Sequence, residues 1–167
     1  MLELQAGGLA SDSVPVADPA TGTGTFVLGL LRHLAARVRD AEGEGAVPAA
    51  AESALRRLVA FELQLGPFAV ARLRLLAEVQ ALTGALPRVE PRMYVTDTLG
   101  SPTPMAALFQ ASRPAIGLQR RAANRTRREQ PITVVIGNPP YKDKAKGPGG
   151  WVEGDGRPRG AYASLDD

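Results

Sequence analysis

The stretch Val14-Pro15-Val16-Ala17-Asp18-Pro19-Ala20-Thr21-Gly22-Thr23-Gly24-Thr25-Phe26 decides how the rest of this chain is read. Val14 to Ala17 is a short apolar run stopped by Asp18-Pro19, which marks a buried strand with Pro15 at its first residue. A turn carrying Gly22 and Gly24 follows. From residue 26 to 40, Phe26, Leu30, Leu31, Leu34 and Val38 recur at helical spacing with arginines between them. The reading is strand, tight turn, helix. Two glycines one residue apart allow a ligand to approach bare backbone, and the helix that follows aims its free N–H groups at that ligand. A P-loop would need Gly-Lys-Ser/Thr where this chain has Gly24-Thr25-Phe26, and a dinucleotide fingerprint would need a third glycine where it has Val27.

Working outward, the same alternation repeats. A short helix is expected over 49–58, then a brief strand, Val59-Ala60-Phe61, ending at Glu62. Pro67 suits a helix's first turn. Phe68, Val70, Leu73, Leu76 and Val79 carry that helix to about residue 82, where Gly84 and Pro87 close it. Met93-Tyr94-Val95-Thr96 forms the next strand, ending at Asp97. Helical stretches are expected around 105–111 and 119–128. Ile132-Thr133-Val134-Val135-Ile136 is β-branched throughout and stops at Gly137-Asn138-Pro139-Pro140. Four strands alternating with helices indicate an α/β fold with a doubly wound parallel sheet. Ligands of such sheets bind outside the carboxyl ends of the strands. Asp18, Glu62, Asp97 and Asn138 each stand at such an end.

These residues carry particular chemistry. A carboxylate at Glu62 can accept hydrogen bonds from both hydroxyls of a ribose, or can serve only as an acid favoured near a helix start. Asp97 can accept from the exocyclic amine of an adenine, or can simply cap the next segment. Asn138-Pro139-Pro140-Tyr141 is more specific. Two prolines stiffen the backbone and remove its N–H groups, so an outward carbonyl is held in a fixed direction. An amide oxygen and that carbonyl together accept both hydrogens of an –NH2 group, leaving its lone pair free to attack a methyl donor. Tyr141 offers a flat face for stacking, worth roughly 1–3 kcal/mol for a base.

Composition narrows the function classes. There is no cysteine, hence no disulfide and no thiolate metal site. The single histidine, His33, has no ligand-spaced neighbours, and no metal site is expected. The chain lacks a signal-peptide pattern and any apolar run of membrane-spanning length, and it reads as cytoplasmic. The formal net charge is only +3, but Arg120, Arg121, Arg125, Arg127 and Arg128 cluster, and Lys142, Lys144 and Lys146 follow. Such clusters can track a phosphate backbone or form a solvated face. With 18 glycines and 14 prolines, many of them late in the chain, the last part reads as a mobile tail.

In this order, the segments resemble the S-adenosylmethionine-dependent methyltransferases that modify adenine N6 in DNA. Asp18 to Thr25 matches their cofactor loop, Asp-Pro-x-x-Gly-x-Gly, and Asn138 to Tyr141 matches their catalytic Asn-Pro-Pro-Tyr. The stretches 18–28, 61–75, 94–99 and 134–141 look most like the methyltransferase region of single-chain Type I-like (Type ISP) restriction-modification enzymes, which join nuclease, helicase, methyltransferase and target-recognition parts.

The resemblance implies a Rossmann-like methyltransferase fold, with about four of the usual seven strands here. It implies that Asp18, Pro19, Ala20, Thr21, Gly22 and Gly24 hold the methionine end of S-adenosylmethionine, Glu62 its ribose and Asp97 its adenine. Of the catalytic residues Asn138, Pro139, Pro140 and Tyr141, Asn138 and the Pro139 carbonyl would hold the target amine, and Tyr141 would stack on a base flipped from the duplex. Arg120, Arg121, Arg125, Lys142 and Lys144 would contact DNA. Methyl transfer would be direct, with no metal. The expected organisation is a leading segment over 1–13, a methyltransferase half-domain over 14–141 and a basic tail over 142–167, forming part of a larger unit. Two alternatives stay open: the same chemistry on protein glutamine or on RNA, and a non-catalytic remnant that folds only with a partner.

Overall fold

The computed structural model describes Ser11 and residues 14–98 and 114–138. The expected helix at 105–111, the residues Pro139, Pro140, Tyr141, Lys142 and Lys144, and the tail over 142–167 lie outside the described residues. In chain order the elements are β1 (Val16–Asp18), α1 (Thr25–Glu42), a 3-10 turn (Glu44–Ala46), α2 (Val47–Arg57), β2 (Leu58–Glu62), α3 (Leu65–Thr83), β3 (Arg92–Val95), α4 (Pro114–Glu129) and β4 (Val134–Val135). The strands form one sheet, order β3-β2-β1-β4, with every pairing parallel. The α/β architecture with a partial doubly wound, Rossmann-like sheet is thus the one expected.

Side-chain alternation assigns the two layers. Along β2, Leu58 and Ala60 join a core with Val16, Leu31, Leu34, Leu55, Leu75 and Val79, contributed by β1 and by α1, α2 and α3. Val59 and Phe61 point the other way and meet Ala123 of α4, with Tyr94 of β3 against them. The Phe61 and Tyr94 rings lie 5.9 Å apart, centre to centre. β2 is therefore apolar on both faces, as a central parallel strand must be. At the other side of the sheet β4 pairs with β1 alone among the described residues, and Val135 is 68% exposed.

Some boundaries shift. Of the run 132–136, Val134 and Val135 pair with Val16 and Ala17 of β1, Thr133 and Val134 both donate to the Pro15 carbonyl, and Ile136 donates to the Ala17 carbonyl. The strand before Asn138 is thus short and, among the described residues, at the sheet's edge, with Val134 partly buried and Val135 exposed. The helix spans Leu65–Thr83, with Pro67 in its first turn as expected, and its buried stripe is Ala71, Leu75 and Val79 flanked by Phe68 and Leu82. Val70 and Leu73, two of the residues whose spacing marks the helix, face outward at 44% and 69% exposure. α4 begins before residue 119, at Pro114. Gly84 ends α3 in the left-handed conformation, the C-cap geometry that favours glycine.

Candidate cofactor and catalytic edge

The chain runs from β1 outward to β2 and β3, then returns to the far side of β1 as β4. The strand order reverses between β1 and β4, and such a reversal opens a crevice at the carboxyl ends of the two strands. Asp18 is the last residue of β1, and Asn138 follows β4 by three residues on the neighbouring strand. The Ile136 N–H donates to the Ala17 carbonyl at 2.9 Å, carrying the ladder one step past Val135. At Gly137 the two segments touch. A Cβ there would lie 2.8 Å from Asp18 Oδ1 and 3.3 Å from Pro19 Cδ. No side chain fits unless Asp18 moves.

Asp18 is fully buried. Its Oδ1 accepts the Ala20 N–H at 3.1 Å, and its Oδ2 has no hydrogen-bond partner among the described residues. Burial pushes its carboxyl up to about 6. The Ala20 N–H opposes that shift, and the Glu62 charge adds to it. A buried carboxylate oxygen without a donor is costly, so Asp18 is an acceptor in want of one.

The glycine loop is tied down on three sides. The Thr21 N–H donates to the Phe61 carbonyl at 2.9 Å, and the Thr21 hydroxyl to the Asp18 carbonyl at 3.3 Å. The Gly22 N–H donates to Glu62 Oε2 at 2.8 Å, while Glu62 Oε1 accepts the Gln64 N–H at 2.8 Å. Arg74 of α3 donates to the Thr23 carbonyl at 2.7 Å. Gly22 and Gly24 both have positive φ, and a Cβ on Gly24 would meet Ala71 of α3 at 3.3 Å. The loop thus needs glycine at position 24 for two reasons: backbone conformation and the closeness of α3. Above Gly22 nothing among the described residues lies within 4 Å of where a Cβ would sit, so on that side the described structure leaves the loop open.

β3 reaches the same edge. The Thr96 N–H donates to the Glu62 carbonyl at 2.8 Å, and the Thr98 hydroxyl donates to the Pro19 carbonyl at 3.0 Å. Asp97, exposed between them, lies beside the half-buried Arg127 of α4. Burial lowers the Arg127 guanidinium pKa, and the Asp97 charge works against that effect.

The structure therefore brings Asp18, Pro19, Ala20, Thr21, Gly22, Gly24, Glu62, Asp97 and Asn138 to one sheet edge. Arg121 and Arg125 are exposed on α4, whereas Arg120 is half-buried. Sequence reasoning missed Gly137, Ala71, Arg74, Thr98 and the inward placement of Arg127. Gly137 carried a signal, since a glycine ending a β-branched strand often marks close backbone approach. The others carried none. A cleft of about 390 Å³, lined by Glu52, Arg56, Thr83, Leu86 and Arg88 among others, includes none of the expected site residues. No helix among the described residues is long and apolar enough to cross a membrane.

No family model matches the chain, and no curated protein matches it. Solved structures do. ATP-dependent Type ISP restriction-modification enzyme LlaBIII bound to DNA matches over 95% of this chain at 27% identity and TM-score 0.65. A nuclease-deletion mutant of the Type ISP restriction-modification enzyme LlaGI, in complex with a DNA substrate mimic, matches over 81% at 26% identity and TM-score 0.63. A DrdV–DNA complex matches over 81% at 27% identity and TM-score 0.61. The match occupies only 10% of the LlaBIII chain and 11% of each of the others. In fold, and in sequence over most of its own length, this chain is similar to one segment of the Type ISP restriction-modification enzymes.

Proposed function

We propose that this chain is the cofactor-binding and catalytic part of a methyltransferase that moves a methyl group from S-adenosylmethionine to the N6 amine of adenine in DNA, within a restriction-modification system. The observation that carries this reading is the meeting of Asp18 and Gly137-Asn138 at the strand-order reversal, with Gly137 against the Asp18 carboxylate.

The residues present fit the cofactor. Among the described residues the glycine loop has an open face above Gly22, and Asp18 Oδ2 is a buried acceptor awaiting a donor. Asp18, Pro19, Ala20, Thr21, Gly22 and Gly24 would hold the methionine end. Glu62 would take the ribose, its oxygens keeping lone pairs beyond those used by Gly22 and Gln64. Asp97 would take the adenine. The cofactor supplies a methyl group on a positively charged sulfur. Asn138, with the Pro139 carbonyl, would accept the hydrogens of the target amine and aim its lone pair at that methyl carbon, and Tyr141 would stack on the flipped base. The amine nitrogen held by Asn138 would release one proton on gaining the methyl group, the sulfur keeping the electrons of the bond that breaks. Arg120, Arg121, Arg125, Lys142 and Lys144 would contact the phosphates, and nuclease, helicase and target-recognition parts would complete the system. That the similar enzymes were solved with DNA favours DNA over protein glutamine or RNA as substrate.

Calorimetric titration with S-adenosylmethionine tests the reading. The wild-type chain binds, Asp18→Ala does not, and Asn138→Ala binds the cofactor normally but transfers no tritiated methyl to duplex DNA. Transfer that survives Asn138→Ala would sink the proposal. A second reading, that the chain is an inactive remnant needing a partner, draws on the exposed edge strand at Val135. It predicts no cofactor heat from the isolated chain.

A further inference from the structure

The turn after β3 is held from two directions. Arg127 Nη2 donates to the Thr98 carbonyl at 2.7 Å, and the Thr98 hydroxyl donates to the Pro19 carbonyl at 3.0 Å. A three-part strap thus runs from α4 through the β3 turn to the cofactor loop, linking residues 127, 98 and 19. Its anchor is firm. Ala123, one turn before Arg127, is fully buried against Val59 and Phe61, and Thr126 donates to the Tyr94 hydroxyl at 3.4 Å. Arg127 is also half-buried, and Nη1 is held by the Asn124 side chain at 3.4 Å. A guanidinium that gives up water to bind one backbone carbonyl is poorly placed to reach DNA phosphates.

We propose that Arg127 is a positioning residue for the cofactor site and not one of the DNA-contacting arginines. By holding the Thr98 carbonyl, which the Thr98 hydroxyl ties to Pro19, it fixes where the neighbouring Asp97 stands relative to the glycine loop. The strap follows from the hydrogen bonds alone. Its consequence for ligand affinity rests on the cofactor reading above.

The test has two arms on the full chain. In the first, amide hydrogen exchange is measured without ligand for wild type, Arg127→Met, Thr98→Val and the double variant. Losing either hydrogen bond, the one from the Arg127 guanidinium or the one from the Thr98 hydroxyl, speeds exchange at the Ala20 and Thr21 amides about tenfold in each single variant. The double variant gains little more, since the strap is already broken, and Arg127→Lys, which can still donate to the carbonyl, restores most of the protection. In the second arm, S-adenosylmethionine affinity falls about tenfold in Arg127→Met and Thr98→Val, again without multiplying in the double variant. Unchanged exchange in Arg127→Met, or losses that multiply in the double variant, would overturn the strap. Faster exchange together with a wild-type chain that binds no cofactor would leave the strap standing and sink the cofactor reading instead.

Discussion

Asp18 concentrates the chemistry of the site in one side chain. Its carboxyl is raised to about 6 by burial, so folding favours the protonated form. An acid with a raised folded-state pKa contributes least penalty below its ordinary value, where it is protonated in both states. The penalty grows as pH rises from about 4 to about 6 and is constant above that. The difference in melting temperature between Asp18→Asn and wild type therefore widens in favour of the variant across that interval and is flat from pH 6.5 to 8. A difference independent of pH would show that Asp18 ionises normally. Gly137 makes a matching prediction by sterics. Gly137→Ala forces a Cβ into Asp18, and such overpacking costs about 1–3 kcal/mol, read by urea unfolding. Asp18 was recognised as a candidate from the loop it begins, but nothing in a linear sequence shows that residue 137 presses against it.

At the scale of elements, α3 shows how a helix can be identified from its spacing while the face it buries stays undecided. Leucines, valines and phenylalanine fill residues 65–82 so densely that several stripes satisfy helical spacing. α3 packs against both α1 and α2, and those neighbours select Ala71, Leu75 and Val79 over Val70 and Leu73. The small Ala71 is chosen because Gly24 of the loop comes within contact distance there. Leu75→Ala should destabilise the chain by about 3 kcal/mol, whereas Leu73→Ala, at an exposed position, should change it by less than about 0.5 kcal/mol. Thermal and urea unfolding of the pair checks the phase of the helix directly. The run 132–136 teaches the converse. Its β-branched composition favours a strand, yet the strand proper is only Val134–Val135, with one further hydrogen bond from Ile136, because pairing length depends on how much of the neighbouring β1 is extended.

For the whole molecule, two apolar layers on β2 and a reversal of strand order beside β1 bring four separated stretches to one edge. The exposed Arg121 and Arg125 lie on α4, in the layer that packs against β3 and on the side of the sheet away from α1. On the proposed function, replacing each with glutamine reduces the slope of log affinity for duplex DNA against log salt by about one, while Arg127→Gln leaves that slope unchanged. Filter binding from low to moderate salt distinguishes the two groups. The sequence by itself determined the α/β class, the parallel order of strands and helices, and the strand-end positions of Asp18, Glu62, Asp97 and Asn138. These follow from local periodicity and turn chemistry, which act between residues close along the chain. Only the tertiary structure decided that Glu62 grips the Gly22 N–H, that Gly137 abuts Asp18, and that one arginine of a basic run turns inward to hold the Thr98 carbonyl. Each of those joins residues far apart in sequence, and burial and hydrogen-bond geometry across the packed layers select them after the elements have formed.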